Sequence, residues 1–217
     1  MTPPPRRSPA GAPTATAPGS RNAGDPSGAT AAVLLCAGAG RRYAAQGSTH
    51  KLLAPFRGRP LVSWALDHVV AARFAATYVV TGAVDLSELL PGSVTAVHNP
   101  RWRSGQASSL ACGVGAARDA GFDAVVVGLG DQPLVTAACW RAVAAASSPI
   151  AVATYGGRRR NPVRLARTVW PELPRSGDEG ARGLIASRPD LVVEVECDGD
   201  PFDVDRPPDA AGARDAS

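Results

Sequence analysis

The residues Val33-Leu34-Leu35-Cys36-Ala37-Gly38-Ala39-Gly40 run from an apolar stretch into a glycine turn, and Arg41, Arg42 and then Lys51 follow. That order suits a buried strand delivering a flexible backbone turn to a polyphosphate. Glycines let backbone N–H groups approach the oxygens, and the cationic side chains balance the charge. Neither of two common phosphate motifs is present. The dinucleotide pattern G-x-G-x-x-G lacks its third glycine, because Tyr43 stands there and would obstruct close helix–strand packing. The Walker pattern requires G-K-[ST], whereas Lys51 lies between His50 and Leu52. The plainer alternative is an ordinary strand-to-helix turn with solvated arginines.

Other groups could complete a phosphate chemistry. Val127-Gly128-Leu129-Gly130-Asp131-Gln132-Pro133 places a carboxylate just past an apolar run. Such a carboxylate is a natural Mg²⁺ ligand, since Mg²⁺ takes one or two carboxylates and completes its shell with phosphate oxygens and water; a helix-capping aspartate is the alternative. A second acidic group, Asp198, Asp200, Asp203 and Asp205, is either a solvated loop or the source of a second carboxylate. In Asn99-Pro100-Arg101-Trp102-Arg103-Ser104-Gly105-Gln106-Ala107-Ser108-Ser109 the serines either cap a helix or face a base or phosphate. Gly156-Gly157-Arg158-Arg159-Arg160-Asn161-Pro162-Val163 reads as a basic turn suited to an anionic second substrate, or as a solvated hairpin.

Residues of this kind need a scaffold that brings strand ends together, and the pattern supplies one. Strands are expected at 31–36, 77–81, 94–98, 124–129, 150–154 and 191–196, with helices at 60–72, 107–120 and 136–146. Alternation at this spacing predicts a mostly parallel sheet covered by helices, with ligands at the carboxyl ends of the strands. The chain has 217 residues, 45% of them apolar and 19% charged, enough for one domain with a real core. Residues 1–28 carry no aliphatic side chain larger than alanine after Met1, so they are expected to be a disordered tail. The folded domain is expected over 29–210, with 211–217 frayed.

A net charge of +4 suits an anionic small ligand. No lysine run interleaved with aromatics argues for nucleic acid. No apolar stretch reaches the roughly 18 residues of a membrane span, and no signal-peptide core is seen. The cysteines at 36, 112, 139 and 197 form no C-x-x-C pair, and with no metal clasp a reduced, cytoplasmic setting is expected.

The blocks together resemble the nucleotidyltransferase family of molybdenum cofactor biosynthesis. Leu35-Cys36-Ala37-Gly38-Ala39-Gly40-Arg41-Arg42 is similar to its L-A-A-G-x-[SG]-x-R signature. Lys51-Leu52-Leu53, Gly58-Arg59-Pro60-Leu61-Val62 and Gly130-Asp131-Gln132-Pro133 follow in the family's order. So do Asn161-Pro162-Val163, Gly177-Asp178-x-Gly180-Ala181-Arg182 and Asp203-Val204-Asp205. The resemblance covers about residues 31–209, and its nearest likeness is to the cytidylyltransferases. It implies a single-domain, Rossmann-like α/β three-layer sandwich of the nucleotide-diphosphosugar-transferase kind. It further implies transfer of CMP from CTP to the terminal phosphate of molybdopterin cofactor, with release of pyrophosphate and with Mg²⁺ as cofactor. By the same likeness Leu35, Ala37, Gly38, Ala39, Gly40 and Ser109 would contact the nucleotide. Arg42 and Lys51 would hold its phosphates and act in catalysis with Asp131, and Asp131 and Asp205 would hold the metal. Ala37 leans toward CTP, because guanylyl-transferring relatives tend to carry glycine there. The product's receiver would be a molybdoenzyme or its chaperone. The alternatives are a relative using GTP or a sugar phosphate, and a non-catalytic nucleotide- or cofactor-binding maturation protein. The presence of both Lys51 and Asp131 disfavours the binding protein. Tyr43-Ala44 departs from the family's usual Met or Phe followed by Gly, and the stretch before Lys51 is longer than usual.

Overall fold

The computed structural model describes residues 29–40 and 50–203. The first strand, β1 (Thr30–Leu35), is buried over all but its first residue. It pairs in parallel with β4 (Thr77–Thr81) on one side and β6 (Ala124–Leu129) on the other. Next to β4 lies β5 (Thr95–His98), again parallel. Continuous apolar runs suit such strands because both faces of a parallel sheet are covered. Between β1 and β4 come a small hairpin, β2 (Pro55–Phe56) with β3 (Arg59–Pro60), and helix α1 (Leu61–Ala71). Helix α2 (Gln106–Asp119) connects β5 to β6, and α3 (Ala137–Ala144) connects β6 to β7 (Ile150–Tyr155).

The period of two along β1 sorts side chains into two layers. Val33 joins Val80, Val125, Leu110 and Val114 beneath α2. Leu34, its neighbour, joins Val79, Val126, Val62 and Val69 beneath α1, with Trp140 and Val143 of α3. The result is the expected three-layer α/β sandwich.

The sheet holds one strand that the sequence pattern does not show. β8 (Arg158–Ala166) lies between β6 and β7 and is antiparallel to both, while β9 (Val192–Glu196) closes the sheet beside β7 in parallel. The seven-stranded order is β5-β4-β1-β6-β8-β7-β9. The basic turn expected at 156–163 is therefore a turn only at Gly156-Gly157; Arg158 already begins a strand. Its first half is charged and it contains a proline, both contrary to strand patterning. Pro162 is accommodated because the ladder slips there, from the Val152–Val163 pair to the Ala153–Arg160 pair. Beyond the slip, Val163 and Leu165 are buried in the core. A short helix, α4 (Arg182–Ser187), also went unread. This topology puts the carboxyl ends of β1, β4, β5, β6, β7 and β9 on one edge, together with the arginine-bearing start of β8. Among the described residues, no helix is long and apolar enough to cross a membrane.

Candidate active site

At that edge lies a cavity of about 470 Å³. The turn after β1 forms one wall with Leu35, Ala37, Gly38, Ala39 and Gly40, and His50, Lys51 and Asp131 form the next. Asp131 stands past the end of β6, and the Lys51 Nζ donates to its Oδ2 over 2.6 Å. The lysine side chain is only 10% exposed and the aspartate 26%. The lysine is thus fixed beside the carboxylate, while the carboxylate still reaches the cavity.

Local chemistry explains how Lys51 is held. It begins a one-turn 3-10 helix, Lys51–Leu53, whose N-cap is His50. The Nδ1 of His50 accepts from the Leu52 N–H at 3.3 Å, and its Nε2 lies 3.0 Å from the Gly38 carbonyl. One neutral tautomer, protonated on Nε2, satisfies both contacts. Burial holds the His50 pKa below its ordinary value; the Gly38 carbonyl opposes this, and the neighbouring Lys51 charge adds to it. His50 therefore ties the glycine turn to the lysine as an uncharged strut. Gly40 has φ +58°, and a Cβ there would come within 2.9 Å of the Lys51 Cβ. Cys36 also lines the site, but burial and the Asp131 charge push its thiol pKa well up, so it is not a nucleophile.

Another wall of the cavity is built by the chain after β5. Trp102, Arg103, Gly105, Gln106, Ser109 and Asp178 line it. Buried Asn99 organises this wall. Its Nδ2 donates to Ser108 Oγ and Ser109 Oγ, each at 3.0 Å, and its Oδ1 accepts from the Arg101 N–H at 2.9 Å. Neither serine is the helix cap. The N-cap of α2 is Gly105, without a side-chain cap bond, and the Ala107 N–H is satisfied by the Gly177 carbonyl at 2.9 Å. Ser108 turns back to the Gly105 carbonyl at 2.8 Å, whereas Ser109 faces the cavity. The Arg103 guanidinium sits over the Trp102 ring, 4.3 Å from its centroid.

A third segment reaches the same edge. Gln132, buried next to Asp131, donates through Nε2 to Asp203 Oδ1 at 2.9 Å and to the Pro201 carbonyl at 3.3 Å. The chain after β9 is thereby tied beside Asp131. Of the expected site residues, Leu35, Ala37, Gly38, Ala39, Gly40, Lys51, Ser109 and Asp131 all border one cavity. Arg42 and Asp205 lie outside the described residues. Sequence reasoning did not single out His50, Trp102, Gln106, Gln132 or Asp178, although all but His50 sit inside motifs it quoted.

The donor set fits a hard divalent cation. Asp131 offers a carboxylate to the cavity, and a cation there would take its remaining ligands from outside the described residues, from phosphate oxygens or from water. One carboxylate with room for phosphate oxygens is the usual Mg²⁺ arrangement.

Known proteins resemble this chain over most of its length. The purine catabolism protein PucB of Bacillus subtilis is 30% identical over 192 residues, covering 81% of this chain and 91% of PucB. Nicotine blue oxidoreductase of Paenarthrobacter nicotinovorans is 30% identical over 181 residues, 76% of this chain and 85% of that protein. The crystal structure of Rv0371c from Mycobacterium tuberculosis superposes with a TM-score of 0.72 at 28% identity, covering 85% of this chain and 97% of Rv0371c. Residues 32–192 match the MobA-like NTP transferase domain. That span holds the glycine turn, Lys51 and Asp131, and the chain belongs to the MobA-like NTP transferase family of nucleotidyltransferases.

Proposed function

We propose that this chain transfers CMP from CTP to the terminal phosphate of molybdopterin cofactor and releases pyrophosphate. The observation that carries the reading is the Lys51–Asp131 pair, 2.6 Å apart, set against the glycine turn in one cavity. The choice of CTP rests on Ala37 and on the likeness to cytidylyltransferases; the acceptor rests on that likeness.

In the reaction, an oxygen of the acceptor phosphate forms a bond to the α-phosphorus of CTP. The bond from that phosphorus to the bridging oxygen breaks, and pyrophosphate carries away the electron pair. A phosphate monoester is mostly ionised near neutral pH, so no side chain need remove a proton. The protein's task is positioning and charge neutralisation. Backbone N–H groups of Gly38–Gly40 cradle the phosphates, and Lys51, with Arg42, supplies positive charge to them. A divalent cation, which Asp131 and Asp205 would hold, supplies further charge neutralisation on the α-phosphate and the leaving group. Manganese is bound in a structure of the relative Rv0371c. Asp131 would turn from Lys51 to the cation, and Lys51 would turn toward phosphate. The exposed Arg158 and Arg160, at the start of β8 on the same edge, would receive the anionic acceptor. The product passes to a molybdoenzyme or its chaperone in the cytoplasm.

The test is pyrophosphate release by purified protein with Mg²⁺ or Mn²⁺ and each of the four ribonucleoside triphosphates, with and without molybdopterin cofactor. Release with CTP that depends on the cofactor is expected. A preference for GTP would move the assignment to guanylyl transfer, and no release with any nucleotide would remove the catalytic reading. NADH and NADPH oxidation is measured alongside, because one relative is named for a redox reaction. None is expected from a turn that lacks the third glycine of the dinucleotide motif.

A further inference from the structure

The cavity carries a second carboxylate besides Asp131. In the proposed function Lys51 and the glycine turn face the phosphates. On the wall built by the chain after β5, with Arg103, Gly105, Gln106 and Ser109, stands the carboxylate of Asp178. Its loop is far away in sequence yet firmly joined to that wall. The Ala107 N–H donates to the Gly177 carbonyl and the Gly177 N–H to the Ser104 carbonyl, each at 2.9 Å. The approach is so close that a Cβ on Gly105, whose φ is +97°, would lie 2.4 Å from the Gly177 carbonyl oxygen and 2.6 Å from Asp178 Oδ1. The neighbouring cation, Arg103, lies over the Trp102 ring, and among the described residues Asp178 makes no ion pair or hydrogen bond.

A carboxylate only accepts hydrogen bonds, and it repels a triphosphate. The groups it can attract from a nucleotide are the ribose hydroxyls and the N–H donors of the base, and of these only the base donors differ between one ribonucleotide and another. Cytosine presents its N4 amino group, whereas uracil presents the O4 acceptor at the same position, and carboxylates accept from cytosine N4. Ala37 bears on purine against pyrimidine through size; it does nothing to separate the two pyrimidines. We infer that Asp178 is a specificity-determining residue that accepts from the base amino group and so selects cytidine over uridine nucleotides. This inference rests on the proposed nucleotidyl transfer and names the feature of its substrate that the site reads.

The competing explanation is structural, since a negative charge beside the start of α2 favours the helix dipole. Asp178→Asn separates the two. Asparagine keeps the shape, and its amide can donate to uracil O4 or accept from cytosine N4. Calorimetric affinities for CTP and UTP with Mg²⁺ are measured for the wild type, Asp178→Asn and Glu179→Gln, with kcat/KM from pyrophosphate release in parallel. The wild type is expected to favour CTP by about 20-fold or more, as a site built to hydrogen-bond a substrate group rejects the analogue lacking it. Asp178→Asn should bring the two within about threefold, and Glu179→Gln, whose residue does not line the cavity, should leave the ratio as it was. Equal wild-type affinities, or an Asp178→Asn loss that falls equally on both nucleotides, overturns the role of Asp178. Transfer that continues with an unchanged ratio leaves the proposed function standing without it. If neither nucleotide binds the wild type, both fall together.

Discussion

Replacing Asp131 with asparagine should act in opposite directions on metal-free binding and on catalysis. In the absence of metal the carboxylate is a partner of Lys51 at 2.6 Å. At an effective dielectric of about 20, two unit charges at that separation attract by about 6 kcal/mol before desolvation is counted. Most of that is offset by burying an ammonium whose side chain is 10% exposed, while a carboxylate 26% exposed keeps part of its hydration. A net loss of about 1–2 kcal/mol is therefore expected on losing the charge, below the range for fully buried pairs. That corresponds to a fall in Tm of roughly 2–8 °C for a domain of this size. Asparagine still offers Lys51 a carbonyl oxygen, so the fold should survive. Removing one negative charge from the cavity should then raise the affinity for CTP in EDTA by about threefold at low salt, an advantage that fades as salt screens it. Turnover with Mg²⁺ should drop by about two orders of magnitude or more, because charge neutralisation by a bound metal is worth several kcal/mol. Calorimetry in EDTA and pyrophosphate release in Mg²⁺ measure the two effects on the same preparation. Turnover within threefold of the wild type would remove Asp131 from the chemistry. A fall in metal-free affinity would refute the exchange of Lys51 between carboxylate and phosphate.

Three further outcomes follow from other contacts. His50 has a folded-state pKa below its ordinary 6.5, so on acidification the unfolded chain takes up the proton first. The stability contributed by neutral His50 is whole above that ordinary value and declines as pH falls through it toward the lowered one; Tm measured between about pH 5 and 7.5 should fall less steeply in His50→Gln than in the wild type. Gln132→Ala removes both bonds to Pro201 and Asp203; faster amide exchange over 198–203 and Mn²⁺ binding weaker by about tenfold are expected, and unchanged Mn²⁺ affinity would show that the tether does not serve the metal site. Ala37 is 2% exposed, so its methyl shapes the turn more than it touches a base. Ala37→Gly should therefore narrow a CTP-over-GTP ratio by less than about tenfold in a competition assay.

How much of this was legible in the sequence depends on the range of the interaction involved. β1 and β6 announce themselves because a parallel strand covered on both faces must be apolar throughout, and Ala31 through Leu35 and Ala124 through Val127 are. The glycine turn and Asp131 were legible for the same reason: each follows such a run, so each falls on the sheet edge. β8 was hidden because its identity is settled by its neighbours. Arg158–Arg160 and Pro162 argue locally against a strand, and only burial of Val163 and Leu165 between β6 and β7, with a slip in the ladder, overrides them. That one antiparallel insertion has a consequence for the site: it brings the arginine-bearing turn back to the edge where Asp131 stands, which a purely alternating βα reading would not do.

The pairings inside the site were illegible on the same principle. Lys51 and Asp131 could each be named, but their contact joins positions 80 apart in the chain. Ser109 was named for a direct contact or a cap; its orientation is set by Asn99, whose amide bridges both serines from the end of another strand. Asp178 reaches the cavity only because the Gly177 backbone substitutes for a side-chain cap at the start of α2, an arrangement that requires glycine at position 105 to leave room for a carbonyl. Local pattern fixes which residues arrive at the carboxyl edge of the sheet, because strand ends are local properties. Which of them face one another is decided by strand order and by loop-to-loop hydrogen bonds. It is those long-range contacts that gather the glycine turn, Lys51, Ser109, Asp131 and Asp178 around one cavity.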